Sequence, residues 1–329
     1  MPTRSNAKLP PTTIARLRSI PYSLGLYNQS VRATCARVIQ EKLPPRCWAK
    51  LNTMAPARYP TMSLADKVAL VTGASSGIGA ATARRLAQEG CGRIVLLARR
   101  TERLEALKKE LEADYGGTRC LCITCDVAAE LERVSNLPAE LPAEFAAVDI
   151  LVNNAGLALG KYAVDENPLV AMQQMISTNI TGAFAMATAF LHGMRARGRG
   201  HLINVGSIAG HETYAGGSIY AATKHALTAF TAAARHDLVG TPVRVTCVSP
   251  GSVETEFSLV RFGGDAARAA AVYQDICALS AEDVADNILY AVTRPAHVQI
   301  ADIVCLATNQ SGAMNVVRVG PSLGAPFSS

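Results

Sequence analysis

The sequence lacks the features of a membrane-spanning protein and of a small disulfide-stabilised one. It contains no run of about 18 consecutive apolar residues, so we expect no transmembrane helix in its 329 residues. Its nine cysteines are odd in number and scattered through apolar stretches, which favours free thiols in a reducing compartment. Because 49% of the residues are hydrophobic and 18% are charged, the composition excludes a disordered or collagen-like chain.

Acidic residues are nearly absent from the first 60 positions. This segment holds ten Lys or Arg residues, eight of the 16 prolines and a single acid, Glu41. Since the whole chain carries a net charge of +6, the excess of positive charge resides in this segment and the remainder is mildly acidic. We therefore predict a disordered basic extension at 1–60, followed by one catalytic domain at 61–329.

The basic extension resembles a mitochondrial or plastid transit peptide, because it contains Ser and Thr and lacks the apolar core of a secretory signal. The alternative is an untargeted extension, or a shorter cytoplasmic chain that begins at Met54 or Met62. A further alternative, an arm for a nucleic acid or a membrane surface, is disfavoured by the scarcity of aromatic residues among the charges. For the catalytic domain we expect neither a nucleic-acid nor a membrane partner.

Three closely spaced cysteines, Cys120, Cys122 and Cys125, invite comparison with a metal site. The sequence offers them no second cysteine pair at zinc-site spacing and no nearby histidine. We interpret them as small apolar residues of a buried strand and predict no metal site.

From residue 67 onward, short apolar stretches alternate with longer helical ones, the pattern of a parallel sheet covered on both faces. We predict strands at 67–72, 92–98, 118–124, 148–153, 201–205, 243–248 and 301–308. We predict helices near 78–89, 101–113, 168–197, 218–238 and 281–293. The predicted fold is a single-domain α/β Rossmann fold with a doubly wound, parallel, seven-stranded sheet. The interval 251–280 exceeds an ordinary connection, and we expect it to form a lid.

A glycine-rich turn follows the first strand and leads directly into a helix. Glycines at such a turn let backbone N–H groups approach a pyrophosphate at the helix N-terminus, where the helix dipole favours anions. An ordinary β–α turn is the alternative interpretation. The predicted cradle comprises Gly73, Ala74, Ser75, Ser76, Gly77, Ile78 and Gly79.

The end of the second strand discriminates between cofactors. An acidic residue there would bind the ribose 2′-hydroxyl of NAD, whereas the sequence has Arg99 and Arg100, which favour the 2′-phosphate of NADP. The alternative is that both arginines are solvated charges at a helix start. Further residues predicted to line the cofactor crevice follow strands three and four, and they are Asp126, Val127, Asn153, Ala155 and Gly156.

A tyrosine and a lysine four residues apart, Tyr220 and Lys224, share one helical face. The lysine cation favours phenolate, so we expect it to lower the tyrosine pKa toward a range useful for proton transfer. Ser207 lies 13 residues upstream and could hold a substrate oxygen, while Asn179 is a polar residue among apolar ones in a predicted helix. Taken singly, each of the four residues also has an ordinary structural interpretation.

Taken together and in this order, these motifs resemble the short-chain dehydrogenase/reductase family over residues 65–320. The resemblance implies that Tyr220 is the general acid/base, that Ser207 polarises the substrate oxygen, that Lys224 binds the nicotinamide ribose and tunes Tyr220, and that Asn179 anchors a proton-relay water. It also implies cofactor contacts from Pro250, Gly251, Val253 and Thr255. One departure from the pattern is Gly206, where many members have a second serine.

The C-terminal quarter resembles one branch of the family, the NADP-dependent 3-hydroxy acid dehydrogenases that act on serine, L-allo-threonine and 3-hydroxyisobutyrate-like acids. The segments that carry this resemblance are 250–262, 283–285, 295–298 and 308–310. A carboxylate substrate needs a cation, for which Arg261 is the candidate, with an exposed loop charge as the alternative. Glu254 and Glu256 are candidates to bind a substrate ammonium, although charges at a helix N-terminus explain them equally well.

Two other functions remain open at this point. One is reduction of broad-range carbonyls, 3-oxoacyl thioesters or steroids, and the other is a non-enzymatic NADP(H)-binding scaffold or redox sensor. The family also implies a homotetramer built through the fourth and fifth predicted helices. Their apolar residues suit either such an interface or the core of the chain itself, and they include Phe184, Met186, Phe190, Ala226 and Phe230.

Overall fold

The computed structural model describes residues 60–318. The predicted extension at 1–60 therefore lies, except for Pro60, outside the described residues. Within the described part, seven strands form one parallel sheet in the order β3-β2-β1-β4-β5-β6-β7, which confirms the predicted doubly wound topology. The strands are β1 (Val68–Thr72), β2 (Arg93–Ala98), β3 (Arg119–Thr124), β4 (Ile150–Asn153), β5 (Gly200–Val205), β6 (Val243–Pro250) and β7 (Asp302–Cys305).

Helices cover both faces of this sheet. They are α1 (Gly77–Gln88), α2 (Thr101–Asp114), α3 (Leu131–Glu140), α4 (Leu169–Ile176), α5 (Ala183–Arg197), α6 (Ser218–Asp237), α7 (Glu256–Arg261), α8 (Ala266–Tyr273) and α9 (Ala281–Val292). One apolar cluster packs α1, α2 and α9 against one face, and a second packs α3, α5 and α6 against the other. No helix among residues 60–318 is both long and apolar enough to cross a membrane.

Three features of the helices differ from the prediction. Helix α3 was not predicted: it contains Pro138, a residue that disfavours a helix interior, and it buries only Val134 and Leu137. The predicted helix 168–197 is interrupted by a π-helical segment, Ser177–Gly182, between α4 and α5. The predicted lid at 251–280, hereafter the lid segment, contains the two short helices α7 and α8.

The order of the strands determines where a ligand-binding crevice can form. The chain runs outward from β1 to β3 on one side and from β4 to β7 on the other, so the connections that follow β1 and β4 diverge. In open parallel sheets, ligands bind at this switch point, beyond the carboxyl ends of the strands.

Candidate active site

A crevice of about 310 Å³ lies at the switch point, within the size range of small-molecule and cofactor sites. Most of the predicted site residues line it. They are Gly73, Ser75, Ser76, Gly77, Ile78, Arg99, Arg100, Asp126, Val127, Ala155, Gly156, Ser207, Tyr220, Lys224, Pro250, Gly251, Val253 and Thr255. The tertiary structure thus brings together residues that are separated by more than 180 positions in the sequence.

The glycine-rich turn has the backbone shape of a phosphate cradle. Gly73 and Gly77 have φ angles of 66° and 51°, in the left-handed region that favours glycine. A Cβ on Gly79 would lie 2.3 Å from the carbonyl oxygen of Gly73, so this position admits only glycine without rearrangement. Helix α1 begins at Gly77, and its free N–H groups face the crevice in the manner of a pyrophosphate site.

Three predicted cofactor residues lie behind the crevice wall instead of lining it. Ala74 and Gly79 are buried beneath the loop, and the Asn153 amide donates to the carbonyl of Ala183 at 2.7 Å and to Asn204 Oδ1 at 3.1 Å. The neighbouring Asn154 lines the crevice, and its amide donates to the carbonyl of Thr72 at 2.9 Å. Asn154 therefore ties the β1 and β4 connections together, a role that its adjacency to Asn153 could have suggested.

The two arginines at the end of β2 have different surroundings. Arg99 pairs with Asp126 at 3.6 Å, with 61% of its side chain exposed. Arg100 Nε donates to Ser75 Oγ at 3.1 Å, and Arg100 Nη2 donates to Ser76 Oγ at 2.6 Å. Arg100 thus lies on the cradle itself, where it adds a cation to the backbone N–H groups.

Glu256 also binds these arginines, since its carboxylate accepts hydrogen bonds from Arg100 at 2.9 Å and from Arg103 at 2.7 Å. The hydrogen bonds from Arg103 and Arg100 hold the pKa of this carboxyl below its usual range. Glu256 is therefore paired with arginines and is not positioned as the partner of a substrate ammonium. Glu254, the other candidate, is exposed to solvent.

Tyr220, Lys224 and Ser207 meet at the centre of the crevice. Lys224 Nζ lies 5.9 Å from the centroid of the Tyr220 ring and donates to the carbonyl of Val205 at 2.9 Å. The Ser207 hydroxyl accepts the backbone N–H of Ala209 at 3.1 Å and is hydrogen-bonded to Tyr220. Tyr220 and Lys224 lie on α6, whereas Ser207 follows β5, so two elements converge on one reacting position.

The pKa of Tyr220 differs in direction from the expectation. Desolvation of its hydroxyl by the surrounding protein raises this pKa to about 12, against opposing effects from the Ser207 hydrogen bond and from the charge of Arg261. Burial also lowers the pKa of Lys224 to about 8. In the chain alone, burial therefore dominates the pKa of Tyr220, and Arg261 is the cation whose charge opposes it.

Asn179 lies in the π-helical segment, 1% exposed. Its Oδ1 accepts the backbone N–H of Leu157 at 2.8 Å, and its Nδ2 donates to the carbonyl of Leu157 at 2.8 Å and to Thr223 Oγ1 at 3.0 Å. The widened turn thus points the amide toward the β4 connection and α6 at once. Asn179 does not line the crevice, but it holds two elements that do.

The glycine at position 206 is explained by its neighbours. A Cβ there would lie 2.8 Å from Cys247 Sγ and 2.8 Å from Ser249 Oγ. These two β6 side chains fill the space that a serine at 206 would occupy, so the departure from the family pattern leaves Ser207 in place.

Arg261 reaches the active site from the end of α7. Its Nε donates to the carbonyl of Gly160 at 3.0 Å and its Nη2 donates to the Tyr214 hydroxyl at 3.1 Å. Its guanidinium carbon lies 5.8 Å from the centroid of the Tyr220 ring. Arg261 is therefore a half-buried cation beside the Tyr220 ring, held in place by Gly160 and Tyr214.

The remaining lid residues of the prediction connect the lid to the cradle. Thr255 Oγ1 accepts the backbone N–H of Phe257 at 3.3 Å and caps α7, and a Cβ on Gly77 would contact this threonine at 3.4 Å. Val253 forms a parallel bridge with Leu279 across the base of the lid segment. A Cβ on Gly251 would lie 2.2 Å from Gln310 Oε1, so a side chain at this position would have to displace the Gln310 amide where β6 enters the lid segment.

Several residues of the crevice wall were not predicted from the sequence. Phe257 packs against Tyr220 with ring centroids 5.7 Å apart, and Val260, Leu157 and Thr178 also line the crevice. Apolar residues such as Phe257, Val260 and Leu157, and a single threonine, give no distinguishing signal in the sequence, although Phe257 and Val260 lie near the predicted Arg261 on the lid segment.

The clustered cysteines lie along and after β3. Cys120 and Cys125 are buried and Cys122 is partly buried, and burial raises the pKa of the Cys120 and Cys122 thiols to about 12. Thiols with so high a pKa stay protonated at neutral pH and are poor ligands. Among residues 60–318, no group of three or more His, Cys, Asp or Glu is arranged to hold a metal ion.

The chain is similar to known proteins of one family. The family described as short chain dehydrogenase matches residues 67–261. An NADP-dependent 3-hydroxy acid dehydrogenase from Schizosaccharomyces pombe is 44% identical over 255 residues, which cover 78% of this chain and 98% of that protein. A serine 3-dehydrogenase from Rhizobium radiobacter is 41% identical over 244 residues, covering 74% of this chain and 95% of that protein.

A solved structure shares the fold as well. The closed form of a serine dehydrogenase complexed with NADP⁺ superposes with a TM-score of 0.71 at 43% identity, and the match covers 76% of this chain and 99% of that one. The region of similarity corresponds to the domain described here.

Proposed function

The chain belongs to the short-chain dehydrogenase family, and from this premise we propose that it transfers a hydride between C3 of small 3-hydroxy acids and NADP. The substrates are acids of the serine, L-allo-threonine and 3-hydroxyisobutyrate type. The observation that carries the proposal is the position of Arg261, a half-buried cation 5.8 Å from the Tyr220 ring centroid. A 3-hydroxy acid has its carboxylate and its reacting hydroxyl a few bonds apart, which suits such a pair.

The cradle and its arginines fit a dinucleotide that carries a 2′-phosphate. Gly73, Gly77 and the N-terminus of α1 would hold the pyrophosphate, and Arg99 and Arg100 would hold the 2′-phosphate. NADP⁺, when bound, supplies the hydride acceptor. The adenine wall would comprise Asp126 and Val127, and the nicotinamide end would comprise Ala155, Gly156, Pro250, Gly251, Val253 and Thr255.

Tyr220 is the proposed general acid/base. In oxidation, the phenolate of Tyr220 takes the proton of the C3 hydroxyl, the electron pair left on the oxygen forms the carbonyl at C3, and the C3 hydrogen departs as hydride with both electrons of the C3–H bond. In reduction, the neutral phenol returns that proton to the oxygen. The Ser207 hydroxyl, already accepting from Ala209, would use its own hydrogen to hold the substrate oxygen beside Tyr220.

Lys224 and Asn179 would carry the proton onward. A Cβ on Gly156 would lie 3.3 Å from Asn179 Oδ1 and 3.6 Å from Lys224 Nζ, so the glycine leaves room between the two polar groups. We propose that this space holds the relay water, with Lys224 also positioned for the nicotinamide ribose. The pKa of Lys224, about 8, suits a group that gains and loses a proton near neutral pH.

The test is a panel of candidate substrates, with each reaction monitored by the absorbance of NADPH. Serine, L-allo-threonine and 3-hydroxyisobutyrate are each compared with the corresponding methyl ester. Every reaction is run once with NADP⁺ and once with NAD⁺ as the cofactor. The acids are expected to react with a much higher kcat/KM than their esters, and NADP⁺ to be preferred. Equal rates for acids and esters would contradict the assignment of substrate class.

A second candidate function is that of a carbonyl reductase with a broad substrate range. The apolar crevice wall formed by Phe257, Val260 and Leu157 favours this function. The same panel, run in reverse with NADPH and neutral ketones, 3-oxoacyl thioesters and steroids, separates the two. If the wild type and Tyr220→Phe show equal and negligible rates with every substrate of the panel, the protein is a scaffold or redox sensor without turnover.

We further propose a homotetramer and organellar targeting. Phe184 of α5 and Phe230 of α6 are half-buried and stack with centroids 4.1 Å apart, which supports an interface on these helices. Met186 and Phe190, by contrast, are buried in the core of the chain itself. Sedimentation equilibrium tests the tetramer, and N-terminal sequencing of the protein isolated from its source tests removal of residues 1–60.

A further inference from the structure

The carboxylate of Glu256 lies between two arginines at the edge of the cofactor cradle. Its Oε2 accepts from Arg100 Nη1 at 2.9 Å and its Oε1 accepts from Arg103 Nη1 at 2.7 Å. The side chain is 41% exposed, so an anion from solution can reach the same guanidinium groups. Glu256 is the first residue of α7, so this contact joins the lid segment to the start of α2.

The donors of Arg100 are almost fully used by these contacts. Its Nε and Nη2 donate to Ser75 Oγ at 3.1 and 3.0 Å, its Nη2 also donates to Ser76 Oγ at 2.6 Å, and its Nη1 donates to Glu256. Bidentate binding of an anion requires two donors on one edge of the guanidinium group. Such an anion would therefore have to take the Nη1 donor from Glu256.

We propose that Glu256 is a specificity-determining residue, whose carboxylate occupies the anion-binding edge of Arg100 and Arg103 and is displaced by the 2′-phosphate of the cofactor. The inference rests on the proposed use of NADP. A phosphate monoester carries a charge near −2 at neutral pH, so it repels a carboxylate bound to the same two cations. A ribose 2′-hydroxyl carries no charge and leaves the carboxylate in place.

Two consequences follow for the chain. The affinity for the 2′-phosphate is lower than the arginines alone would give, because part of the interaction energy is spent on separating Glu256 from them. Binding of the phosphate also releases the first turn of α7, while Arg261 at the other end of the helix remains bound to Gly160 and Tyr214.

The opposite role for Glu256 would be to position the arginines for the phosphate. Loss of its charge would then weaken phosphate binding, whereas displacement predicts stronger binding. The sign of the change in affinity therefore separates the two roles.

The experiment is isothermal titration calorimetry of the full-length protein with adenosine 2′,5′-bisphosphate and with 5′-AMP, which lacks the 2′-phosphate. The test variant is Glu256→Gln, which keeps the shape of the side chain and removes its charge. The control is Glu254→Gln, which removes the same charge from an exposed residue of the same segment. Thermal unfolding without ligand checks that both variants fold as the wild type does.

We expect Glu256→Gln to bind the bisphosphate about five- to tenfold more tightly than the wild type, because the competing carboxylate no longer pairs with Arg100 and Arg103. Its affinity for 5′-AMP should equal that of the wild type, and Glu254→Gln should match the wild type with both ligands. If the wild type prefers the bisphosphate but Glu256→Gln binds it equally or more weakly, the inference is wrong and the proposed function stands. If the wild type binds the two nucleotides equally, the proposed NADP preference fails and the inference fails with it.

Discussion

The guanidinium carbon of Arg261 lies 5.8 Å from the centroid of the Tyr220 ring, and the charge of this arginine lowers the pKa of the Tyr220 hydroxyl. The cation comes from the lid segment and the phenol from α6. The same residue that we propose as the partner of a substrate carboxylate thus also favours the phenolate form of Tyr220.

Replacement of Arg261 by Ala should raise KM for 3-hydroxy acids by roughly tenfold or more, the usual effect of losing a charge-assisted hydrogen bond. KM for the corresponding methyl esters should change by less than about twofold, because they carry no carboxylate. Steady-state kinetics with both substrates measures the difference. Arg268→Ala is the matched control, since Arg268 is an exposed lid cation that stacks on Phe262 at 4.6 Å. An equal rise in KM for acids and esters would remove Arg261 from substrate binding.

The Tyr220 hydroxyl should ionise at a higher pH in the folded chain than in the unfolded chain. Because desolvation raises its pKa to about 12, tyrosinate absorbance of the wild type and of Tyr220→Phe should differ little below about pH 10. In denaturant, where Tyr220 regains an ordinary pKa near ~10, the two proteins should differ by one tyrosine. A difference in tyrosinate absorbance of the folded proteins near neutral pH would show that Lys224 and Arg261 outweigh burial.

Gly79→Ala should abolish nucleotide binding and lower stability by about 1–3 kcal/mol, the usual range for overpacking. The added methyl would lie 2.3 Å from the carbonyl oxygen of Gly73, which forces the cradle apart. Calorimetry with NADP and urea unfolding measure the two effects. Gly116→Ala is the control, because a Cβ there meets nothing within 4 Å. Normal nucleotide binding by Gly79→Ala would show that the cradle is not the pyrophosphate site.

Arg244→Met should destabilise the domain by about 3 kcal/mol or more, since buried acceptors lose their donor. Arg244 is 6% exposed, and it donates to the carbonyls of Ala291 at 3.1 Å and Val292 at 2.9 Å at the end of α9. Urea unfolding at fixed protein concentration gives the free energy. Arg235→Met, which removes one hydrogen bond to Ala301 near the surface, should cost less than about 1 kcal/mol. Equal losses in the two variants would refute a structural role for Arg244.

Long, strongly patterned elements and local motifs were predictable. The buried parallel strands have continuous apolar stretches, and the order of the glycine-rich turn, Ser207 and Tyr220 follows directly from the sequence. Helix α3 was missed because it buries only two side chains and contains Pro138. Asn153 was placed in the crevice one residue away from Asn154, which lines it, because strand ends cannot be located that finely from apolar patterns.

Contacts between charged groups that are far apart in the sequence were the least predictable feature of the site. The sequence shows that Lys224 lies one helical turn from Tyr220, but not how far burial raises the tyrosine pKa. It places Glu256 at a helix start, but not against Arg100, which is 156 positions earlier. Such pairs depend on how the lid segment returns over the sheet.

The sequence by itself therefore determined the fold, the glycine-rich turn and the proposed proton-transfer groups, since these depend on periodicity and on spacings of a few residues. Only the tertiary structure decided which charges face the reacting position and the cradle. The reason is physical: interaction energies between charges depend on distance and desolvation, and both are set where Arg261, Glu256 and Tyr220 are brought together by folding.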